Sequence, residues 1–227
     1  MASWMIHLRI ADKLLDKLNN ITTTEFIMGN IAPDSGVPNE DWSVFTPSGD
    51  ISHFKEESID GWKNINIDKF INTHFTKEHI NSYSKKEYSF FLGYYTHLLT
   101  DIEWVNQVCK PSEERFTDLC NEIGRVNFVW TLKKDWYDLD FLYLKKNPDF
   151  RAFRLYEQSK DFKNTFMDIF AEDAFENRRQ YITGFYLAGR EDLEREYPYL
   201  NEIQTEAFVE KTVDIIMNLI QNLIHKC

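Results

Sequence analysis

SFFLGYYTHLLTDIEW, residues 89–104, is apolar on almost every side, and a helix that is hydrophobic all round belongs in a protein core. The stretch nevertheless carries His97 and Asp101, which a helix places on one face because they are four residues apart. Gly93 lies on the same stripe one turn earlier, where another backbone can approach closely. A buried ionised carboxylate needs a cation or several donors, and a metal ion bound by both side chains meets that need. A hydrogen-bonded core histidine with an aspartate at the exposed end of the helix fits the same loose spacing.

Helical periodicity continues over most of the chain, and alternating strand patterns are nearly absent. From Ser3 to about Leu18 the apolar residues recur at helical spacing, and His7 lies on their face. Further helices are predicted between Ile65 and Ser84, from Phe116 to Pro148, twice between Phe150 and Arg190 with Gly184 and Gly189 at their ends, and after a capping box of Asn201 and Gln204. The sequence therefore predicts an all-α protein.

Between Gly29 and Gly61 the helical pattern disappears, and this span holds four of the chain's 8 glycines and three of its 6 prolines. Irregular segments of this length inside a compact domain are usually functional or disordered, and the aromatic residues here favour an ordered one. The span presents Asp34 in a turn signal and His53 a little later. Taken singly, a capping aspartate and a surface histidine are the simpler interpretations.

The length of 227 residues accommodates one large or two small domains, and we predict a single all-helical domain over residues 1–227. The formal net charge of -11 argues against a broad basic surface for nucleic acid or anionic lipid. It suits a protein that gathers carboxylates around cations. The adjacent Arg178 and Arg179 are suited to an anion, or to the ion pairs that arginines on an acidic protein usually form.

The three cysteines, Cys109, Cys120 and Cys227, are widely separated and odd in number, which predicts free thiols in a reducing compartment. The first residues lack the charged start, apolar run and cleavage site of a secretory signal, and no stretch is long enough to cross a bilayer. We therefore expect a cytoplasmic protein without an integral membrane segment.

The order His7, Asp34, His53, His97, Asp101 resembles the zinc-dependent phospholipase C family, whose fold is similar to that of the S1/P1-type nucleases. Four stretches carry the resemblance: IHLRIADKLL (6–15), IAPD (31–34), ISHF (51–54) and FFLGYYTHLLTD (90–101). The resemblance implies a multi-helix bundle with a long ordered loop after the first helix.

The resemblance also implies a set of metal ligands. One zinc ion would lie among Asp34, His53, His97 and Asp101, and a second would share Asp101 as a bridge and take His7. Imidazoles and carboxylates are ordinary zinc ligands. Two such ions activate water and stabilise the attacking and leaving oxygens of a phosphoester. Asp34 would then orient or deprotonate that water.

The sequence departs from the family where a third ion is expected. The family binds it through a histidine shortly after the H-x-x-x-D aspartate and through a later H-x-x-x-E pair, but Gln107 and Val108 occupy the first place. No histidine follows until His225. Asp135 and Asp138 share a helical face. They form either a carboxylate-only site, suited to Mg²⁺ or Mn²⁺, or simply part of the solvent-exposed side of a helix.

A second departure concerns the start of the chain. In secreted family members an N-terminal tryptophan binds metal through its amine and carbonyl, whereas Trp4 here is already in peptide linkage. A helix rises ~1.5 Å per residue, so a free amine lies far from His7 unless the first residues fold back.

Two hypotheses of function follow. The first is a metal-dependent phosphoester hydrolase with one to three zinc ions, acting on a small phosphodiester or phosphomonoester rather than on nucleic acid. The second is a metal-binding or regulatory protein that has lost catalysis. A helical interaction protein without metal is a third possibility.

Overall fold

A computed structural model of the protein describes residues 1–41, 43–57 and 62–226, without the side chains of 224–226. Gly61 and Cys227 lie outside this description. Cys109 and Cys120 are buried free thiols, as their spacing predicts.

Most of the described chain is helical, which confirms the all-α class. The helices are α1 (Trp4–Leu15), α2 (Thr23–Ile31), α3 (Gly49–Ser52), α4 (Ile67–His74), α5 (Lys77–Ser82), α6 (Lys85–Trp104), α7 (Lys110–Arg115), α8 (Thr117–Ile123), α9 (Arg125–Lys146), α10 (Arg151–Gln158), α11 (Ala174–Leu187) and α12 (Glu202–Lys226). A 3-10 turn (Ala32–Asp34) follows α2, and a π-helical turn (Val105–Cys109) follows α6. The short strands pair as two antiparallel ribbons, β1 (Val37–Pro38) with β2 (Phe45–Thr46) and β3 (Lys55–Glu56) with β4 (Asn64–Ile65).

Helix α6 is the central element of the fold. A capping box begins it: the Glu87 backbone N–H donates to Ser84 Oγ at 3.3 Å, and the Ser84 N–H donates to the Glu87 carboxylate at 2.7 Å. Every residue from Ser89 to Asp101 is buried, because helices and loops cover this stretch on all sides. Asp101 is therefore not at an exposed helix end, and one of the two interpretations of the H-x-x-x-D pair is removed.

Helix α2 crosses α6 with the two backbones in direct contact. A Cβ atom added to Gly93 would lie 2.1 Å from the Phe26 carbonyl oxygen, and one added to Gly29 would lie 2.1 Å from the Phe90 carbonyl oxygen. The close approach expected at Gly93 is thus made by α2. That helix lies between α1 and the irregular segment that begins near its end. The sequence signal for α2 is the T-x-x-E spacing of Thr22 and Glu25, typical of a helix start.

The remaining helices follow the predicted order with local differences. Gly124, at φ +78°, divides the helix expected from Phe116 onward into α8 and α9. Gly184 lies inside α11 rather than at its end, and Gly189, at φ +69°, follows that end in the left-handed region where glycine carries no steric penalty. The capping box of Asn201 and Gln204 is present at the start of α12.

One buried apolar cluster extends from Ala2 to Leu223. Helix α1 packs against α2, α6, α10 and α12, so the first and last helices of the chain share this core. In the part of the chain that the structure describes, no helix combines the length and the apolar character that crossing a bilayer requires.

The α2–α6 crossing predicts a contrast between two glycine substitutions. Gly93→Ala should lower the free energy of unfolding by about 1–3 kcal/mol or more, because the new methyl group collides with backbone. Gly184→Ala should be neutral or stabilising by up to about 1 kcal/mol, because Gly184 has open space around it and a helical alanine is favoured. Denaturant unfolding of both variants tests this, and equal stability of the two would contradict the close crossing.

Candidate metal centre

Five side chains that are far apart in sequence meet beneath the surface of the molecule. His7 comes from α1, Asp34 from the 3-10 turn after α2, His53 from the residue after α3, and His97 and Asp101 from α6. Their ligand atoms form two groups, His7 with His97 and Asp101, and Asp34 with His53 and His97, each with all atoms within 4.8 Å of one another. Only Asp34 retains appreciable exposure, at 12% of its side chain. The five predicted ligands are thus brought together.

The orientation of His97 is fixed by α2. Its Nδ1 lies 2.7 Å from the Asn30 carbonyl oxygen, which accepts only, so Nδ1 carries the proton and Nε2 carries a lone pair. Asn30 is in the last turn of α2, where backbone carbonyls have no partner within the helix. The His7 and His97 rings stack at 3.7 Å between centroids.

His53 is held in the same tautomer by another backbone carbonyl. Its Nδ1 lies 3.0 Å from the Gly49 carbonyl oxygen and 2.9 Å from Ser52 Oγ. The Tyr94 hydroxyl donates to the Ser52 carbonyl and thereby ties α3 to α6. The lone pair of His53 Nε2 then faces that of His97 Nε2 at 3.2 Å. When both rings are neutral, two lone pairs at this distance repel each other unless a cation, either a metal ion or an added proton, lies between them.

The carboxylates complete the cluster. Asp34 Oδ1 lies 3.3 Å from His53 Nε2. Asp101 Oδ2 lies 3.6 Å from His97 Nε2 and 3.7 Å from His53 Nε2, while its Oδ1 lies 3.4 Å from His7 Nε2. The two oxygens of Asp101 therefore face different histidines.

Several of these buried atoms have no hydrogen-bond partner among the described residues: both ring nitrogens of His7 and Oδ2 of Asp101. Such orphaned polar atoms are rare in folded proteins. A zinc ion accepts imidazole nitrogen and carboxylate oxygen, and histidine ligands commonly donate their other ring N–H to a carbonyl, as His53 and His97 do. The residues present fit a metal ion.

The electrostatics favour the metal-binding protonation state of His7 and of both aspartates. Burial, aided by His97, lowers the pKa of His7 to about 4, although Asp101 opposes the shift. Burial alone would raise the pKa of Asp34 and of Asp101, but the neighbouring histidines, and for Asp101 also the positive amino terminus, outweigh it and hold both below their ordinary range. Burial would lower the pKa of His97, but Asp101 and Asp34 raise it. At neutral pH the cluster therefore contains two carboxylates and a neutral His7.

The first residues of the chain fold back onto the cluster. The Ala2 N–H donates to Asp101 Oδ1 at 2.7 Å. Ser3 caps α1, and its hydroxyl donates to Asp140 Oδ1 at 2.8 Å, while the Tyr186 hydroxyl donates to Asp140 Oδ2 at 2.8 Å. Burial raises the pKa of Asp140 to about 7, although both hydroxyl donors oppose the shift. The contact between the Ala2 N–H and Asp101 had no signal in the sequence, because it depends on a backbone N–H.

Asp135 and Asp138 do not join the cluster. Arg195 donates to Asp135 Oδ1 at 2.8 Å and to Asp138 Oδ2 at 2.5 Å, and Arg190 donates to Asp138 Oδ1 at 2.5 Å. The Tyr199 backbone N–H donates to Asp135 Oδ2 at 2.9 Å. All four carboxylate oxygens are thus occupied by donors from the segment after α11. Neither aspartate belongs to a potential metal group of the described residues.

A cavity of about 340 Å³ opens over Asp34 and His53. Much of its wall is aromatic, and two basic side chains, Lys133 from α9 and Arg178 from α11, also line it. The sequence indicated Arg178 only as one of two adjacent arginines and gave no signal for Lys133.

Comparison with known proteins finds one family. Residues 6–104, somewhat under half of the chain, match the family described as zinc-dependent phospholipase C. The matched segment includes all five residues of the cluster, whereas Lys133 and Arg178 lie outside it. No curated protein and no solved structure gives a significant match.

The geometry predicts that the protein binds zinc through this cluster. Dialysed protein should retain at least one zinc ion per chain, measured by elemental analysis, and a chelator should lower its melting temperature, since a ligand at 100 times its Kd stabilises by about 2.7 kcal/mol. His97→Ala should weaken zinc binding by ~100-fold or more, because Nε2 of His97 belongs to both ligand groups. His79→Ala, on an exposed position of α5, is the matched control and should bind zinc normally. Zinc retention by His97→Ala would contradict the assignment.

The burial of His7 predicts its titration in metal-free protein. Its imidazole should stay neutral until the pH approaches about 4, because charging it requires desolvation beside His97. The pKa of His97 is shifted in the opposite direction, so His97 should protonate first as the pH falls. NMR of the ring nitrogens measures both, and a His7 that protonates before His97 would show that the cluster is differently charged.

Proposed function

We propose that the protein is a zinc-dependent phosphoric ester hydrolase, because residues 6–104 match the family described as zinc-dependent phospholipase C and contain all five residues of the cluster. The proposed metal ligands are His7, Asp34, His53, His97 and Asp101. A single domain over residues 1–227 is part of the proposal, and the shared core of the first and last helices supports it.

The observation that carries the proposal is the pair of imidazole nitrogens, His53 Nε2 and His97 Nε2, facing each other at 3.2 Å with lone pairs. Both Nδ1 atoms are hydrogen-bonded to backbone carbonyls, so the two neutral rings have no proton between their Nε2 atoms, and a proton there would make one ring an imidazolium. A buried carboxylate oxygen, Asp101 Oδ2, adjoins them and has no hydrogen-bond partner in the described part of the chain. A protein interior tolerates this arrangement when a cation is present.

The two oxygens of Asp101 support a division of the ligands into two positions. Oδ2 faces His53 and His97, near Asp34, and Oδ1 faces His7. A carboxylate has two oxygens with which to bridge two ions, whereas an imidazole nitrogen binds one. We assign His53, His97, Asp34 and Asp101 to one zinc ion and His7 with Asp101 to a second.

Bound zinc supplies Lewis acidity, which polarises a phosphoryl oxygen and makes water a better nucleophile. Asp34 and His53 are the two proposed ligands that line the cavity, and the carboxylate of Asp34 can meet a water molecule and a substrate from the open side. Its pKa lies below its ordinary value, because His53 and His97 outweigh the effect of burial, and the group is therefore an anion at neutral pH. Asp34 would orient that water and accept its proton.

The size of the cavity favours a small substrate. A volume of about 340 Å³ is near the lower end for small-molecule sites. We propose a small phosphodiester or phosphomonoester, and nucleic acid is disfavoured by the net charge of -11.

The proposal predicts hydrolysis that depends on Asp101. Zinc-loaded protein should hydrolyse nitrophenyl phosphate mono- or diesters, and Asp101→Asn should lower kcat/KM by ~100-fold or more, because it removes a charged ligand from both ions. Asp118→Asn, on an exposed position of α8, is the matched control and should be fully active.

Equal rates for wild type and Asp101→Asn would reject catalysis at this cluster. Zinc binding without turnover on either ester would instead favour the second hypothesis, a metal-binding or regulatory protein that has lost catalysis.

A further inference from the structure

The cavity above the metal cluster contains a buried arginine without a carboxylate partner among the described residues. Arg178 is 7% exposed and donates from Nη2 to the Gly36 carbonyl oxygen at 2.7 Å. Its Nε is buried and, within residues 1–41, 43–57 and 62–226, has no hydrogen-bond partner. Gly36 is two residues after Asp34, so this contact fixes the guanidinium beside the loop that carries a proposed zinc ligand. The neighbouring Arg179, in contrast, forms an ion pair with Glu176 at 2.6 Å.

Lys133 is a second cationic group in the same cavity. It is half-buried, and within the described ranges no carboxylate lies within ion-pair distance of its Nζ, which sits 4.5 Å from the centre of the Trp130 ring. Burial lowers the pKa of Lys133, and Asp34 only partly opposes this. An anion close to Nζ would reverse that shift, because it favours the charged ammonium.

The cavity is lined by more positive than negative side chains, although the whole protein is negatively charged. Asp34 is the one carboxylate among the described residues that line it, while Lys133 and Arg178 line it as well, in a chain of net charge -11. Zinc ions on Asp34 and Asp101 would add further positive charge. A single phosphodiester carries one negative charge, whereas a phosphate monoester carries about two once its second ionisation, with a pKa of ~6, is complete.

We propose that Lys133 and Arg178 bind the non-bridging oxygens of the substrate's phosphate and make the site selective for phosphate monoesters over diesters. This inference rests on the proposed function and specifies its substrate class. The guanidinium provides directed N–H donors for two phosphate oxygens, and the ammonium provides a point charge. Both side chains would act on ground-state binding of any phosphate dianion, with or without an ester group.

Binding of inorganic phosphate to zinc-loaded protein tests the inference without requiring turnover. Isothermal calorimetry at a pH of about 8, where phosphate is a dianion, should give at least a tenfold higher Kd for Lys133→Met than for wild type. Methionine keeps the apolar contact with Trp130 and removes the charge. Lys134→Met is the matched control, since Lys134 is the exposed next residue of α9 and should leave the Kd unchanged. Arg178→Met should weaken phosphate binding similarly, with the melting temperature recorded because it also loses the Gly36 contact.

Ester selectivity provides the second readout. Wild type should prefer nitrophenyl phosphate to bis(nitrophenyl) phosphate, and Lys133→Met should lower that ratio of kcat/KM at least tenfold. Folded, zinc-loaded Lys133→Met that binds phosphate within twofold of wild type would overturn the inference, and so would a zinc-loaded wild type that binds no phosphate or prefers the diester. Zinc content, measured on the same samples, distinguishes these results from failure of the metal site itself, which would overturn both proposals.

Discussion

The contact between the backbones of α2 and α6 is the constraint on which the site depends. Gly29 and Gly93 have no side chains to separate the two helices, and a Cβ atom at either would lie 2.1 Å from a carbonyl oxygen of the other. The crossing brings the Asn30 carbonyl to His97, which fixes the tautomer of that ring. It also delivers the 3-10 turn with Asp34 to the same end of the cluster. A larger separation would remove both the orienting carbonyl and one proposed ligand.

Charges of opposite sign lie in the core and in the cavity above it: a carboxylate in the core and two basic side chains in the cavity wall. Asp101 lies in the core with one oxygen bonded to the Ala2 N–H and the other without a hydrogen-bond partner among the described residues. Such a group is stable when positive charge lies beside it. The cavity has the opposite need, because the positive charges of Lys133 and Arg178 line it and an anion would neutralise them. A metal ion below and a phosphate above would satisfy both sets of groups, which is why the metal and substrate proposals support each other.

The sequence predicted the parts of the structure that depend on periodicity and left out the parts that depend on distant contacts. The four-residue spacing of His97 and Asp101 places both on one face of a buried helix, and this requires no tertiary information. The break at Gly124 and the short helix α2 were missed, because a single glycine or nine residues with weak apolar patterning give little periodic signal. Asp135 and Asp138 do share a face, but Arg195, which pairs with both, is about sixty residues later. The orienting carbonyls and the cationic wall of the cavity likewise come from chain crossings that no local pattern records.

The central claim is that the histidines and aspartates of the cluster surround zinc. Anomalous diffraction at the zinc absorption edge, from crystals of the full chain grown without chelator, tests it most directly because it locates the ions among their ligands. We expect a peak between the ring nitrogens of His53 and His97 and the carboxylates of Asp34 and Asp101, with a second peak between His7 and Asp101 when both positions are filled. The absence of any peak at the cluster after zinc loading, or a peak only beside Asp135 and Asp138, would contradict it.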